Sequence, residues 1–141
     1  MRLSEIKRDL NATEQGAWVG AKYDTPIFGM GDLNLKVRGD NNADWRRLQA
    51  KLIAALPHSK RINGLSPEDN DRITGECLKR ACLLDWDGVE DDDGKPVEYS
   101  TEQAAAIIDD PRYAEFRLAV LWAASLVGKQ LVQQLKADAK N

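Results

Sequence analysis

Carboxylates are the residues in this chain most able to do chemistry. Asp85 and Asp87 precede an unbroken run, Glu90-Asp91-Asp92-Asp93, and oxygen ligands at that density can collect a hard cation. A calcium loop of the helix–loop–helix kind needs glycine at its sixth position and glutamate at its twelfth. Counted from Asp85, those positions hold Glu90 and Pro96, so the pattern fails. The preferred reading is a solvated turn whose charges discourage edge-to-edge strand pairing, and no metal ligand is assigned. His58, the one histidine, follows Leu56-Pro57 beside Lys60 and Arg61 without a visible base, nucleophile or metal partner. It reads as a solvated loop residue. Cys77 and Cys82 stand five apart on one predicted helix, an offset that points them to different faces and argues against a bridge. Both read as buried structural thiols. The chain has no phosphate-binding P-loop, nucleophile elbow or H-E-x-x-H, and Gly29-Met30-Gly31 is too short for a dinucleotide loop. No catalytic residue and no cofactor is assigned, and enzymatic activity is not expected.

The elements around these residues are legible from periodicity. Ala17-Trp18-Val19 and Tyr23 are strand formers, and Asp32-Leu33-Asn34-Leu35-Lys36-Val37-Arg38 alternates polar with apolar, as a strand with one buried face does. An antiparallel pair is expected, with Leu33, Leu35 and Val37 facing the core and Thr25 to Gly31 as a loop flexible at its two glycines. Gly39-Asp40-Asn41-Asn42 supplies a turn and cap for a helix carrying Trp45, Leu48, Leu52, Ile53 and Leu56 on one face. Ser66-Pro67 starts a second helix, with proline at the first turn where no N–H is needed, and Ile73, Cys77, Ala81 and Leu84 form its stripe. Two runs of strand formers flank Asp93-Gly94, a dipeptide suited to the positive-φ positions of a tight turn. That pattern predicts a small hairpin over Leu83 to Tyr99, held by Trp86. Ser100-Thr101-Glu102-Gln103 resembles a capping box, and a last helix follows Asp109-Asp110-Pro111. Phe116, Val120, Ala124, Val127, Leu131 and Leu135 mark one of its faces. The expected fold is α+β: a mainly helical single domain, 1–141, with an N-terminal antiparallel strand pair and a second small hairpin around Asp93-Gly94. Residues 1–15 form a segment that can fray or dock on a partner.

Composition sets outer limits. At 43% hydrophobic and 30% charged residues, the chain can bury a core and belongs with ordinary globular proteins rather than disordered ones. A net charge of −3 does not favour nucleic acid or anionic lipid, so neither is expected as a partner. The apolar stretch Leu118 to Val127 is too short to cross a membrane, and no secretory signal is read at the N-terminus. Arg46, Arg47, Lys51, Lys60 and Arg61 form the positive cluster, opposite an apolar helix face. Of the four tryptophans, Trp18, Trp45 and Trp86 read as core. Trp122 falls off the Phe116–Val120–Ala124–Val127 stripe and is the interface candidate.

Taken together, these pieces resemble a known family. Gly16-Ala17-Trp18-Val19, Leu35-Lys36-Val37-Arg38-Gly39, Asn42 and Trp45-Arg46 are similar to the N-terminal half of tailed-phage (siphophage or prophage) tail assembly chaperones. The middle matches through Asp71-Arg72-Ile73-Thr74-Gly75-Glu76, Leu84-Asp85-Trp86-Asp87-Gly88, Asp93-Gly94-Lys95-Pro96 and Tyr99-Ser100. Asp110-Pro111, Phe116-Arg117 and Val120-Leu121-Trp122-Ala123-Ala124 complete the resemblance. Gly20 to Asp32 departs from it, being longer than the expected turn. The resemblance implies a non-enzymatic protein of the host cytoplasm, absent from the mature virion. It implies binding that keeps the tape measure protein soluble, assistance to the tail tube protein as it polymerises, and room for a homo-oligomer. The client contacts are expected on the exposed side of the last helix at Trp122, Leu131 and Leu135, with the N-terminal residues contributing. Two other readings stay open: a virion structural protein such as a tail completion or head–tail connector subunit, and a small acidic metal-responsive binding protein.

Overall fold

A computed structural model describes residues 1–129 of the chain. After a 3₁₀ turn at Leu3–Ile6, the elements are α1 (Leu10–Gln15), β1 (Ala17–Gly20), β2 (Asn34–Val37), α2 (Ala43–Ala54), α3 (His58–Ile62), α4 (Pro67–Ala81), β3 (Leu83–Asp87), α5 (Thr101–Asp109) and α6 (Ala114–Lys129). The fold is α+β and mainly helical, with one small antiparallel sheet.

The alternation read in the sequence is β2, which pairs antiparallel with β1 from Ala17 opposite Val37 to Gly20 opposite Asn34. Leu33, Leu35 and Val37 are buried as that alternation requires. The sheet has a third strand. Residues 83–87 pair with β2, not with 95–99, giving the order β1-β2-β3. Opposite β2, Lys36 faces Asp85 and Val37 faces Leu83, so Leu84 is the extra residue of a β-bulge. It is 39% exposed rather than part of the α4 stripe, because the helix has already ended at Ala81.

The turn at Asp93-Gly94 is present: Gly94 lies at φ +79° and its N–H donates to the Asp91 carbonyl at 3.0 Å. Its arms meet through one bridge, Glu90 opposite Pro96, and the Val97 N–H donates to Val89 O at 2.8 Å. Trp86 straps this loop to the sheet. Its indole N–H donates to Val97 O at 2.8 Å, and its ring meets Tyr99 and Phe116 edge to face at centroid distances of 5.2 and 5.9 Å. The Tyr99 hydroxyl reaches back to Leu83 O at 3.1 Å.

The caps read in the sequence form as well. Asn42, Ser66 and Ser100 accept from the backbone N–H groups of Trp45, Asp69 and Gln103. Asn42 is fully buried and also donates to Gly39 O and Ala81 O, tying the start of α2 to the end of α4. Helix α6 crosses the sheet, and its Ala124 carbonyl accepts from Asp40 N–H at 3.0 Å. That approach depends on Gly39, where an added Cβ would lie 2.9 Å from both Gly128 Cα and Thr13 Cγ2. Trp45, Val120 and Val127 are buried, whereas Leu48, Leu52 and Phe116 are only half-buried against the core.

Candidate functional site

The residues that looked most chemical are occupied with structure. Asp91 Oδ1 accepts from the N–H groups of Asp93 and Lys95, both at 2.9 Å, so this carboxylate closes the turn. Asp87 pairs with Lys22 at 2.6 Å and is held below the usual carboxylate range by that ammonium. Among the described residues, no three His, Cys, Asp or Glu side chains converge as metal ligands do. His58 is exposed and begins the short helix α3 rather than lying in the loop that its place after Leu56-Pro57 suggests. Cys77 and Cys82 are free and buried. Burial pushes the Cys82 thiol up to about 12 and raises Cys77 as well, away from the reactive thiolate.

The unsatisfied surface lies elsewhere. Pro26, Ile27, Phe28 and Met30 of the β1–β2 connection face Glu115, Leu118, Ala119 and Trp122 of α6 across a cleft of about 250 Å³. Helical spacing explains the α6 wall, since residues three, four and seven apart share a face. The loop wall follows from its own bonding. Thr25 closes the chain onto Gly20 through N–H to O at 3.0 Å and accepts Gly20 N–H on its hydroxyl at 3.0 Å. Met30 N–H then donates to Ile27 O and Leu33 N–H to Met30 O, each at 3.1 Å. Gly29 and Gly31 supply the positive φ that these successive turns require, rather than mere flexibility. Ile27 is thereby anchored in the core at 5% exposure, while Phe28 next to it is 100% exposed.

Trp122 is thus where the off-stripe position put it, 46% exposed, with Leu118 at 56% one turn earlier. Leu131 and Leu135, the other two predicted contacts, lie outside the described residues. The exposed Leu3, Ile6 and Leu10 are not brought to the cleft. Helix α1 sits at the Gly128 end of α6, through Thr13 against Gly39, roughly 9 Å along the axis beyond Trp122 at 1.5 Å per residue. Sequence reasoning missed Phe28, Met30 and Leu118. The available signal was Pro26-Ile27-Phe28, three apolar residues in a row inside a glycine-rich loop.

The chain matches the model of the YdaY prophage protein family over residues 40–141. It belongs to that family. No curated protein and no solved structure matches it. The YdaY match contains the α6 wall of the cleft with Leu118 and Trp122, whereas the loop wall with Phe28 precedes it. The coarse part of the resemblance, a prophage protein, stands on this match. Among the described residues, no helix is long and apolar enough to cross a membrane.

Proposed function

We propose that this prophage protein is a tail assembly chaperone that binds and solubilises apolar helices of the tape measure protein. The observation behind the proposal is the cleft between the 26–30 loop and α6, where Phe28, Leu118 and Trp122 stand exposed on a hydrogen-bonded frame. Fully burying one such side chain is worth roughly 1.5–3 kcal/mol, and helix-in-groove recognition concentrates its energy in a few anchors of this kind. At about 250 Å³ the cleft falls below the usual range for small-molecule sites, roughly 300–1,000 Å³. It suits protruding side chains of a larger partner better than a whole substrate. The proposed role is non-enzymatic. It is exercised in the host cytoplasm on the tape measure protein and, through it, on tail tube assembly, and it leaves the protein out of the mature virion.

Co-expression with the tape measure protein of the same prophage tests the proposal. The expected result is more soluble tape measure protein and its recovery with this chain on affinity purification. Mass spectrometry of purified particles should not find this chain. Abundant copies in the particle would favour the structural-subunit reading instead.

A further inference from the structure

Which apolar helix the cleft would take is constrained by charge. Besides Lys129, three cations stand on the β1–β2 connection, on α6 and on the turn just before it, and each is already paired: Lys22 with Asp87 at 2.6 Å, Arg112 with Asp110 at 2.8 Å and Arg117 with Asp71 at 3.0 Å. Lys129 lies on the same helix about 21 Å from Glu115 at 1.5 Å per residue, beyond the reach of a local contact. The carboxylates divide differently. Glu115 lines the cleft and is exposed, and Asp24 and Asp32 stand exposed on the loop that forms the other wall. None of these three makes an ion pair among the described residues. The cleft therefore has apolar walls and one lining carboxylate, Glu115, that no cation among the described residues neutralises.

We infer that the occupant of the cleft is an amphipathic helix whose apolar anchors are flanked by lysine or arginine, with Glu115 as the residue that selects for that cation. The inference rests on the chaperone reading and narrows it from apolar helices in general to cationic amphipathic ones. The division of labour is physical. Apolar contact supplies most of the affinity, while charge complementarity chooses among partners and speeds encounter. Glu115 stands seven residues before Trp122, on the same face of α6. A helix seated on Trp122 and Leu118 thus places its next turn beside the carboxylate.

The test uses the full chain and three fluorescent ~20-residue amphipathic peptides with one apolar stripe. They differ in carrying Lys, Gln or Glu at the positions flanking that stripe. Anisotropy titration at ~0.05 M salt should rank them Lys, Gln, Glu, with the extremes about tenfold apart, as several exposed pairs of modest strength allow. In E115Q the gap should fall to about threefold, and in E115Q/D24N/D32N it should close, with the Gln peptide bound as before. At ~0.5 M salt the ranking should collapse in the native protein while binding persists. Equal affinity for all three peptides overturns the inference, as does a ranking unchanged in the triple variant. If binding is equal yet lost in F28S/W122S, the groove reading survives and only the charge preference fails. If no peptide binds, both fail.

Discussion

The acidic turn at 90–95 and the apolar cleft between residues 26–30 and α6 relate to solvent in opposite ways. The turn is built from groups that water solvates well, and it also satisfies itself: Asp91 caps the turn backbone and Trp86 holds the arms to the sheet. The cleft is built from groups that water solvates poorly, yet its frame keeps them outside. Thr25 and the Ile27–Met30 turn spend the local hydrogen bonds on positioning, so Phe28 stays exposed although Ile27 beside it is buried. A residue's capacity for chemistry is thus a poor guide to the candidate site. Surface left uncovered by an ordered backbone is a better one, because covering it releases free energy on binding.

The largest expected effect is at Trp86. Replacing it with alanine should cost about 3–5 kcal/mol, as for other buried aromatics, and should release the 89–99 loop from β3. Trp86→Phe keeps the edge-to-face contacts but leaves the Val97 carbonyl without its donor, for a loss of about 1–2 kcal/mol. Urea unfolding measures both. A Phe variant as unstable as the Ala variant would show that ring packing contributes little and the hydrogen bond nearly everything.

A second effect appears on raising the pH. Burial holds the Cys82 thiol at about 12 in the folded chain, whereas in the unfolded chain it ionises near 9. The unfolded state therefore sheds its proton first, and stability present below about pH 9 is lost as pH climbs towards 12. Tyr99 and Lys79 are raised too, and lose stabilisation in the same direction. Thermal melts from pH 8 upward should show the decline, and Cys82→Ala should flatten its first part. An identical slope in that variant would assign the whole decline to the other groups.

The turn itself should respond weakly. Asp91→Ala removes the acceptor for two N–H groups and should cost about 1 kcal/mol. Glu90→Gln, Asp92→Asn and Asp93→Asn together should stay within about 0.5 kcal/mol. Calcium at millimolar concentration should leave the melting temperature unchanged. An ion bound at a hundredfold excess over its dissociation constant would add roughly 2.7 kcal/mol, and an upward shift of that order would restore the metal-responsive reading.

Much of this frame was legible before any coordinates, because the signals were local. The alternation at 32–38 is β2, Ser66-Pro67 starts α4, Ser100 caps α5, and Asp93-Gly94 turns the chain. What escaped was long-range. Whether residues 83–87 pair with their neighbours at 95–99 or with β2, some fifty positions earlier in the chain, depends on which face the helices bury. No dipeptide encodes that choice. Leu84 was misplaced for the same reason: the bulge exists only once β3 has joined β2. The cleft was half legible. Trp122 stands off its stripe in any helical projection, but Phe28 and Met30 become its opposite wall only because Ile27 docks in the core.

A small effect on folding accompanies the largest on binding. Phe28 is fully exposed and Trp122 about half so, so Phe28→Ser should shift stability by no more than about 0.5 kcal/mol and Trp122→Ser by about 1–2 kcal/mol, which leaves both variants folded. The most direct measurement is the dissociation constant of the tape measure protein complex for the native chain and the F28S/W122S variant, across ~0.05–0.5 M salt. The native complex should persist at the upper end, where exposed charge pairs are largely screened, and the variant should bind at least tenfold more weakly at every salt concentration. A complex abolished by salt and indifferent to the two substitutions would contradict binding through the apolar cleft. The partner surface would then be sought on the basic face of α2, around Arg46, Arg47 and Lys51.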